Sequence, residues 1–265
     1  MPSFFLAALR RNWREYAIEA AGLACFMISA LGFTLLLEHP ASPARAALPS
    51  ALGRRVLMGL AMGATLIALV YNPLGKRSGA HYNPVFTFTF WRLGKVRSPD
   101  ALGYAIAQFA GGALGVAAIG AAFGPALADP RVHYAATLPF AGVAAAFAGE
   151  LAIAFAQMTL VLIASNAKRW NRFTGVFAAC GVATYITLEA PLSGMSMNPA
   201  RTLASAIGAG DYTAAWLYFA APLAGMLLAA EAYVRVGKVR RVHCAKLHHE
   251  NAQPCLFRCE YDALR

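Results

Sequence analysis

The chain has 265 residues, 59% of them hydrophobic and 13% charged, with a mean hydropathy of +0.52. Soluble domains carry about 25% charged residues, so this composition argues against a soluble enzyme. The net charge of +11 comes from 23 Lys and Arg against 12 Asp and Glu, but the bases fall between apolar runs rather than on one polar face, unlike a nucleic-acid module.

Apolar stretches long enough to cross a bilayer, which takes about 20 residues, run at about 16–37, 54–72, 100–124, 138–164, 172–190 and 212–236. Six crossings return both ends of the chain to one side. An excess of Lys and Arg marks the cytoplasmic side. The N-terminal segment carries Arg10, Arg11 and Arg14; the second connection carries Lys76, Arg77, Arg92, Lys95 and Arg97; the fourth carries Lys168, Arg169 and Arg172. The tail adds Arg235, Lys238, Arg240, Arg241, Lys246, Arg258 and Arg265, leaving Arg45, Arg54, Arg55, Arg131 and Arg201 on the other face. This pattern predicts two cytoplasmic termini, and the short chain fits a bacterial inner membrane. Cys25 and Cys180 fall within spans, where a small apolar role suits them; Cys244, Cys255 and Cys259 fall in the tail.

Two segments repeat each other, Ser78-Gly79-Ala80-His81-Tyr82-Asn83-Pro84 and Ser193-Gly194-Met195-Ser196-Met197-Asn198-Pro199, with Asn83 and Asn198 standing 115 positions apart. Glu19 in the first span pairs with Glu150 in the fourth, and Tyr104, Gln108 and Gly111 in the third share their spacing with Tyr218, Pro222 and Gly225 in the sixth. Three spans per half is an odd number, so the halves insert upside down to one another as an inverted repeat.

Each Asn-Pro is followed by a short apolar stretch, Val85 to Trp91 and Ala200 to Ile207. These are too short to cross and predict half-helices that dip in and stop. Asn caps a helix, and Pro at the first position loses no hydrogen bond it needed. Two half-helices meeting N-terminus to N-terminus make a positive region near the midplane, with the amides of Asn83 and Asn198 as donors into the gap.

These features resemble the aquaporin and glycerol-facilitator family, the major intrinsic proteins. The resemblance runs from about residue 12 to 236 and rests on the two boxes, one reading Asn83-Pro84-Val85 and the other Asn198-Pro199-Ala200-Arg201, on Glu19 and Glu150, and on Ala107-Gln108. It implies an all-α, aquaporin-like hourglass of six transmembrane helices plus two re-entrant half-helices, usually a homotetramer with one pore per subunit. The channel domain would cover residues 1–237, with halves at about 12–124 and 138–237, and a basic cytoplasmic tail would cover 238–265. The implied activity is passive conduction of water and small neutral solutes such as glycerol, urea or ammonia, with protons and ions excluded. Partners would be those solutes and the lipid bilayer; no nucleic acid, catalytic role or cofactor is expected.

The first box ends in Val85 rather than Ala. At the filter implied by the resemblance, Arg201 matches the family arginine, counting back from Asn198 gives Ile186 and Met195, and the second span supplies Met62 or Gly63, its register shifted by an apparent insertion at Asn72-Pro73-Leu74-Gly75-Lys76-Arg77. Such a filter is apolar on three sides. It strips water of hydrogen bonds at roughly 1–3 kcal/mol per lost partner and penalises a carbon-bearing solute less.

The matched positions of Glu19 and Glu150 favour bracing of the loops over catalysis, and His81 reads as a further brace or a pH-dependent gate. Glu189 either lines the outer vestibule near Arg201 or sits at the headgroup boundary. Gly111, Gly112, Gly115 and Gly225 permit close helix contacts, within one subunit or between subunits. In the tail, Cys-x3-His-x6-Cys-x3-Cys from Cys244 through His248 has enough ligands for zinc, but a disordered basic tail beside anionic lipid explains its charge, so no metal is assigned. A secondary transporter is the alternative function, since it also uses inverted repeats and broken helices.

Overall fold

The structure is a computed structural model and describes residues 2–236 and 241–264. Lys238, Arg240, Arg265 and the expected domain boundary after 237 lie outside the described residues. The α-helices in chain order are α1 (Pro2–Glu38), α2 (Pro43–Ala47), α3 (Ala51–Tyr71), α4 (Pro73–Ser78), α5 (Pro84–Arg92), α6 (Ser98–Leu127), α7 (Val143–Ser165), α8 (Thr174–Leu188), α9 (Ala190–Ser193), α10 (Pro199–Ala209) and α11 (Leu217–Val236). There is no strand among the described residues.

The inverted repeat is visible in the packing. Helix α1 lies along α6, as α7 lies along α11, and α3 meets α8 across the halves. Glycine permits both long contacts. A Cβ on Gly111 would stand 2.1 Å from the carbonyl oxygen of Ala20, and one on Gly225 would stand 2.4 Å from that of Leu151. The small residues therefore serve contacts inside one subunit. Leu60, Ile106, Leu114 and Leu228 point outward and are exposed, as a lipid-facing surface requires.

Five helical stretches are long and apolar enough to cross: Ala7–Glu38, Ala51–Tyr71, Ser98–Leu127, Val143–Ser165 and Leu217–Val236. The sixth expected span, 172–190, is shorter than the sequence indicates. Helix α8 has 15 residues, follows a 3-10 turn at Asn171–Phe173, and stops before Pro191 in the first turn of α9. Proline cannot donate to the preceding turn and ends the helix there.

The two expected half-helices are α5 and α10, of 9 and 11 residues. The insertion before the first box forms α4, capped by the side chain of Asn72, which accepts from the amides of Leu74 and Gly75. Asn72-Pro73 is thus a helix start in its own right, and it places α4 at the end of the bundle that also carries the tail.

Candidate functional site

The loops ahead of α5 and α10 share one backbone geometry. Gly79 and Gly194 have φ of 98° and 80°, Ala80 and Met195 have 59° and 51°, and Tyr82 and Met197 have 47° and 53°. Left-handed backbone at a non-glycine residue costs on the order of 1–3 kcal/mol and persists only where the surroundings hold it. Here a buried glutamate does so in each half. Glu19 accepts from Ser78 Oγ (2.7 Å), the amides of His81 (3.2 Å) and Tyr82 (2.6 Å), and Gln108 Nε2 (2.8 Å). Glu150 accepts from Ser193 Oγ, and from the amides of Ser196 and Met197, each at 2.7 Å. Tyr104 and Tyr218 complete the match by donating to the carbonyls of Ser78 (2.6 Å) and Ser193 (2.7 Å).

Asn83 and Asn198 cap their half-helices. The Oδ1 of Asn83 accepts from the amide of Val85, and that of Asn198 accepts from the amides of Ala200 and Arg201. Pro84 and Pro199 occupy the first helical turn, where no amide donor is missed. Beyond the expected role of these amides as donors into the gap, each gives one hydrogen to the opposite loop, Asn83 to the carbonyl of Met197 and Asn198 to that of Tyr82, both at 2.8 Å. A carboxamide carries two N–H donors, so each keeps a second donor after bracing its partner loop.

A cavity of about 490 Å³ passes this junction, and its wall includes Asn83, Asn198, Arg201, Met62, Ile186 and Met195. Nη1 of Arg201 is buried without a hydrogen-bond partner. Burying a guanidinium donor without a partner is costly, so Arg201 is held on the cavity wall at a free-energy cost.

Residues 8–233 match the family described as Major intrinsic protein. The chain belongs to that family. It is 36% identical over 172 residues to Aquaporin NIP1-3 of Oryza sativa subsp. japonica, covering 64% of this chain and 58% of the relative. It is 34% identical over 187 residues to Aquaporin NIP6-1 of Arabidopsis thaliana, covering 69% and 59%. The matched segments therefore span under two thirds of those relatives. In fold it resembles the aquaglyceroporin from Plasmodium falciparum, with a TM-score of 0.69 at 19% identity over 85% of this chain and 96% of that one.

The two second-span positions of this major intrinsic protein face different surroundings. Met62 is on the cavity wall, whereas Gly63 faces α8, where a Cβ would stand 3.1 Å from the carbonyl of Ala179. Met58, one turn away, lines the cavity as well. The spacing of α3 alone did not single it out. Val85 and Ala200 are buried at the half-helix starts.

Glu189 is not among the cavity-lining residues. It is buried at the end of α8, its carboxylate lies against Gly149 of α7, and both oxygens lack a hydrogen-bond partner. Helix α8 ends at Leu188, and this side chain makes the contact with α7.

His81 braces more than its own loop. Its Nδ1 lies 3.0 Å from Thr87 Oγ1, its Nε2 lies 2.8 Å from the carbonyl of Ala245 in the tail, and its ring stacks between Phe90 and Phe257. The described tail, 241–264, is folded against this end of the bundle, which corrects the expectation of a disordered basic tail. Arg258 donates its amide to the carbonyl of Lys95, Glu260 pairs with the Lys95 ammonium at 3.0 Å, and the amide of His243 reaches Asn166.

The tail also gathers Cys244, His249, Cys255 and Cys259, whose ligand atoms all lie within 4.8 Å of one another. The histidine is His249 and not His248, which packs its ring on Tyr71 instead. Hydrogen bonding within the cluster, foremost to Cys244, holds the Cys255 and Cys259 thiols below the usual cysteine range.

Proposed function

We propose that this chain is a passive channel that conducts water and small neutral solutes such as glycerol, urea or ammonia and excludes protons and ions. One observation carries the reading. Two half-helices end N-terminus to N-terminus at a cavity, each capped by an Asn that keeps a free donor after bracing the other. Donors and helix dipoles of one sign converge there, so a passing oxygen accepts on both sides and does not relay a proton. The guanidinium of Arg201, on the cavity wall, adds a second positive barrier.

Met62, Ile186, Met195 and Arg201 form the filter in this reading, with Gly63 left to helix packing. Three apolar walls favour solutes that carry their own carbon skeleton, and the structural neighbour is named an aquaglyceroporin. Asn83, Pro84, Val85, Asn198, Pro199 and Ala200 form the waist; Glu19, Glu150 and His81 hold the loops. Of the buried carboxylates a coupled transporter could use, Glu19 and Glu150 are engaged by loop donors, and Glu189 lies against Gly149 rather than among the cavity-lining residues. No catalytic role is assigned. The basic end faces the cytoplasm of a cell (inner) membrane, and the assembly is a homotetramer.

Stopped-flow swelling of proteoliposomes tests the selectivity. Glycerol or urea flux above that of empty vesicles is expected beside water flux. Water permeability with solute flux no greater than the empty-vesicle value would overturn the solute reading.

A further inference from the structure

The tail carries a side-chain cluster that the pore does not use. Cys244 Sγ lies 3.5 Å from Cys255 Sγ, and His249 Nε2 lies 2.9 Å from Cys259 Sγ. A tetrahedral zinc ion with Zn–S of about 2.3 Å and Zn–N of about 2.0–2.1 Å has ligand-to-ligand edges of about 3.5–3.8 Å. The four donor atoms therefore fit around one zinc after shifts of about an ångström or less. Three sulfurs and one imidazole complete the shell with no open position, the pattern of a structural site.

The surroundings agree with a metal. The His249 ring is oriented by stacking on Tyr261, with centroids 4.0 Å apart at 17°. Zinc with three thiolates and a neutral imidazole carries one net negative charge, and the buried ammonium of Lys246 lies in the same turn, fixed by the carbonyls of Gln253 and Pro254 at 3.1 and 2.9 Å. The described tail has no helix beyond a 3-10 turn at Tyr261–Leu264, and its own core is a few side chains such as Val242, Leu247 and Phe257. A segment that short rarely holds a fold without a cross-link.

What the cluster fixes is the part of the tail that touches the pore. Ala245 and Leu247 lie between the first two ligands in sequence, Cys244 and His249. The carbonyl of Ala245 meets His81, the amide of Leu247 donates to the carbonyl of Gly79 at 3.1 Å, and Leu247 is itself on the cavity wall. Phe257, between the last two ligands, covers Gly79, where a Cβ would stand 2.6 Å from its ring.

We propose that Cys244, His249, Cys255 and Cys259 bind one zinc ion, and that this ion holds the tail across the tail-bearing mouth of the pore. Loss of the metal releases Ala245 to Leu247 from the first loop and opens that mouth. The zinc site stands apart from the solute reading; its effect on flux rests on the channel reading.

The test uses the full chain purified in detergent. Zinc per chain is measured by elemental analysis in the wild type, Cys255→Ser, His249→Cys and, as a control outside the cluster, Cys180→Ser. Hydrogen exchange at Ala245–Leu247 and solute flux in proteoliposomes are then compared before and after chelation. One zinc per chain is expected in the wild type, His249→Cys and Cys180→Ser, with at least a tenfold loss in Cys255→Ser. Protection at Ala245–Leu247 should fall, and flux should rise severalfold, when zinc is removed. A wild type without zinc, or Cys255→Ser with the wild-type amount, overturns the site. Zinc bound with unchanged exchange overturns the strap, and changed exchange with unchanged non-zero flux overturns closure. Lost protection with no flux in any state supports the zinc-held strap and contradicts the channel reading instead.

Discussion

Asn198 reaches across the repeat to Tyr82, its side-chain amide donating to the Tyr82 carbonyl at 2.8 Å, while Asn83 makes the reciprocal bond to Met197 at the same distance. Each loop thus sets the position of the other's cap. The carbonyls that accept these bonds belong to residues in left-handed conformation, which Glu19 and Glu150 hold in place through the amides of the same residues. Geometry at the waist therefore depends on a chain of contacts from glutamate to backbone to asparagine.

Glu150→Gln breaks that chain in the second half. Its replacement presents an NH2 group to at least one of the donors from Ser193, Ser196 and Met197, and hydrogen bonds to a charged group are worth about 1.5–3 kcal/mol each. Water permeability per folded protein should fall at least about tenfold, and the unfolding temperature in detergent should drop. Wild-type permeability in this variant would show that the carboxylate does not position the loop.

Gly111→Ala should destabilise strongly, since its Cβ would lie 2.1 Å from a backbone oxygen that has no way to yield without moving α1. Overpacking of this kind costs about 1–3 kcal/mol or more. Gly120→Ala, whose Cβ would meet only Tyr134 at 3.9 Å, should be near neutral or slightly stabilising. Thermal unfolding of the two variants side by side reads the difference.

Met62→Ala and Gly63→Ala separate the two second-span positions. The first enlarges the cavity and should raise flux of the larger solute, glycerol, relative to water. The second pushes on the Ala179 carbonyl and should lower stability with little change in the glycerol-to-water ratio. Opposite outcomes would place Gly63 in the filter.

Ile186→His places a polar group on an apolar wall and gives water a partner there, lowering the desolvation cost by roughly 1–3 kcal/mol. Glycerol flux should fall relative to water flux in stopped-flow swelling. An unchanged ratio would remove Ile186 from the selectivity determinants.

Much of this architecture was legible because the inverted repeat writes the same local chemistry twice. The caps at Asn83 and Asn198, the prolines after them, the paired glutamates and the tyrosines at 104 and 218 all follow from matched spacing. What spacing did not reveal was where a side chain goes once helices pack. Gly63 and Met62 are neighbours in sequence but face different partners, and Glu189, just past the end of α8, lies against α7. The tail was the least legible part. Its basic charge reads as a solvated segment, and adjacent His248 and His249 look equivalent until Tyr71 takes one and the cysteines surround the other. No periodicity marks such a fold, because the tail is held by contacts to Gly79, His81 and Lys95, far away in the chain.

The central claim, a passive pore that passes neutral solute and rejects protons, is tested most directly by glycerol flux and internal pH followed together in proteoliposomes, with and without imposed proton and sodium gradients. The account predicts a glycerol rate that is independent of either gradient and proton permeability equal to that of empty vesicles. Uptake driven by a gradient, or acidification that accompanies glycerol entry, would contradict it.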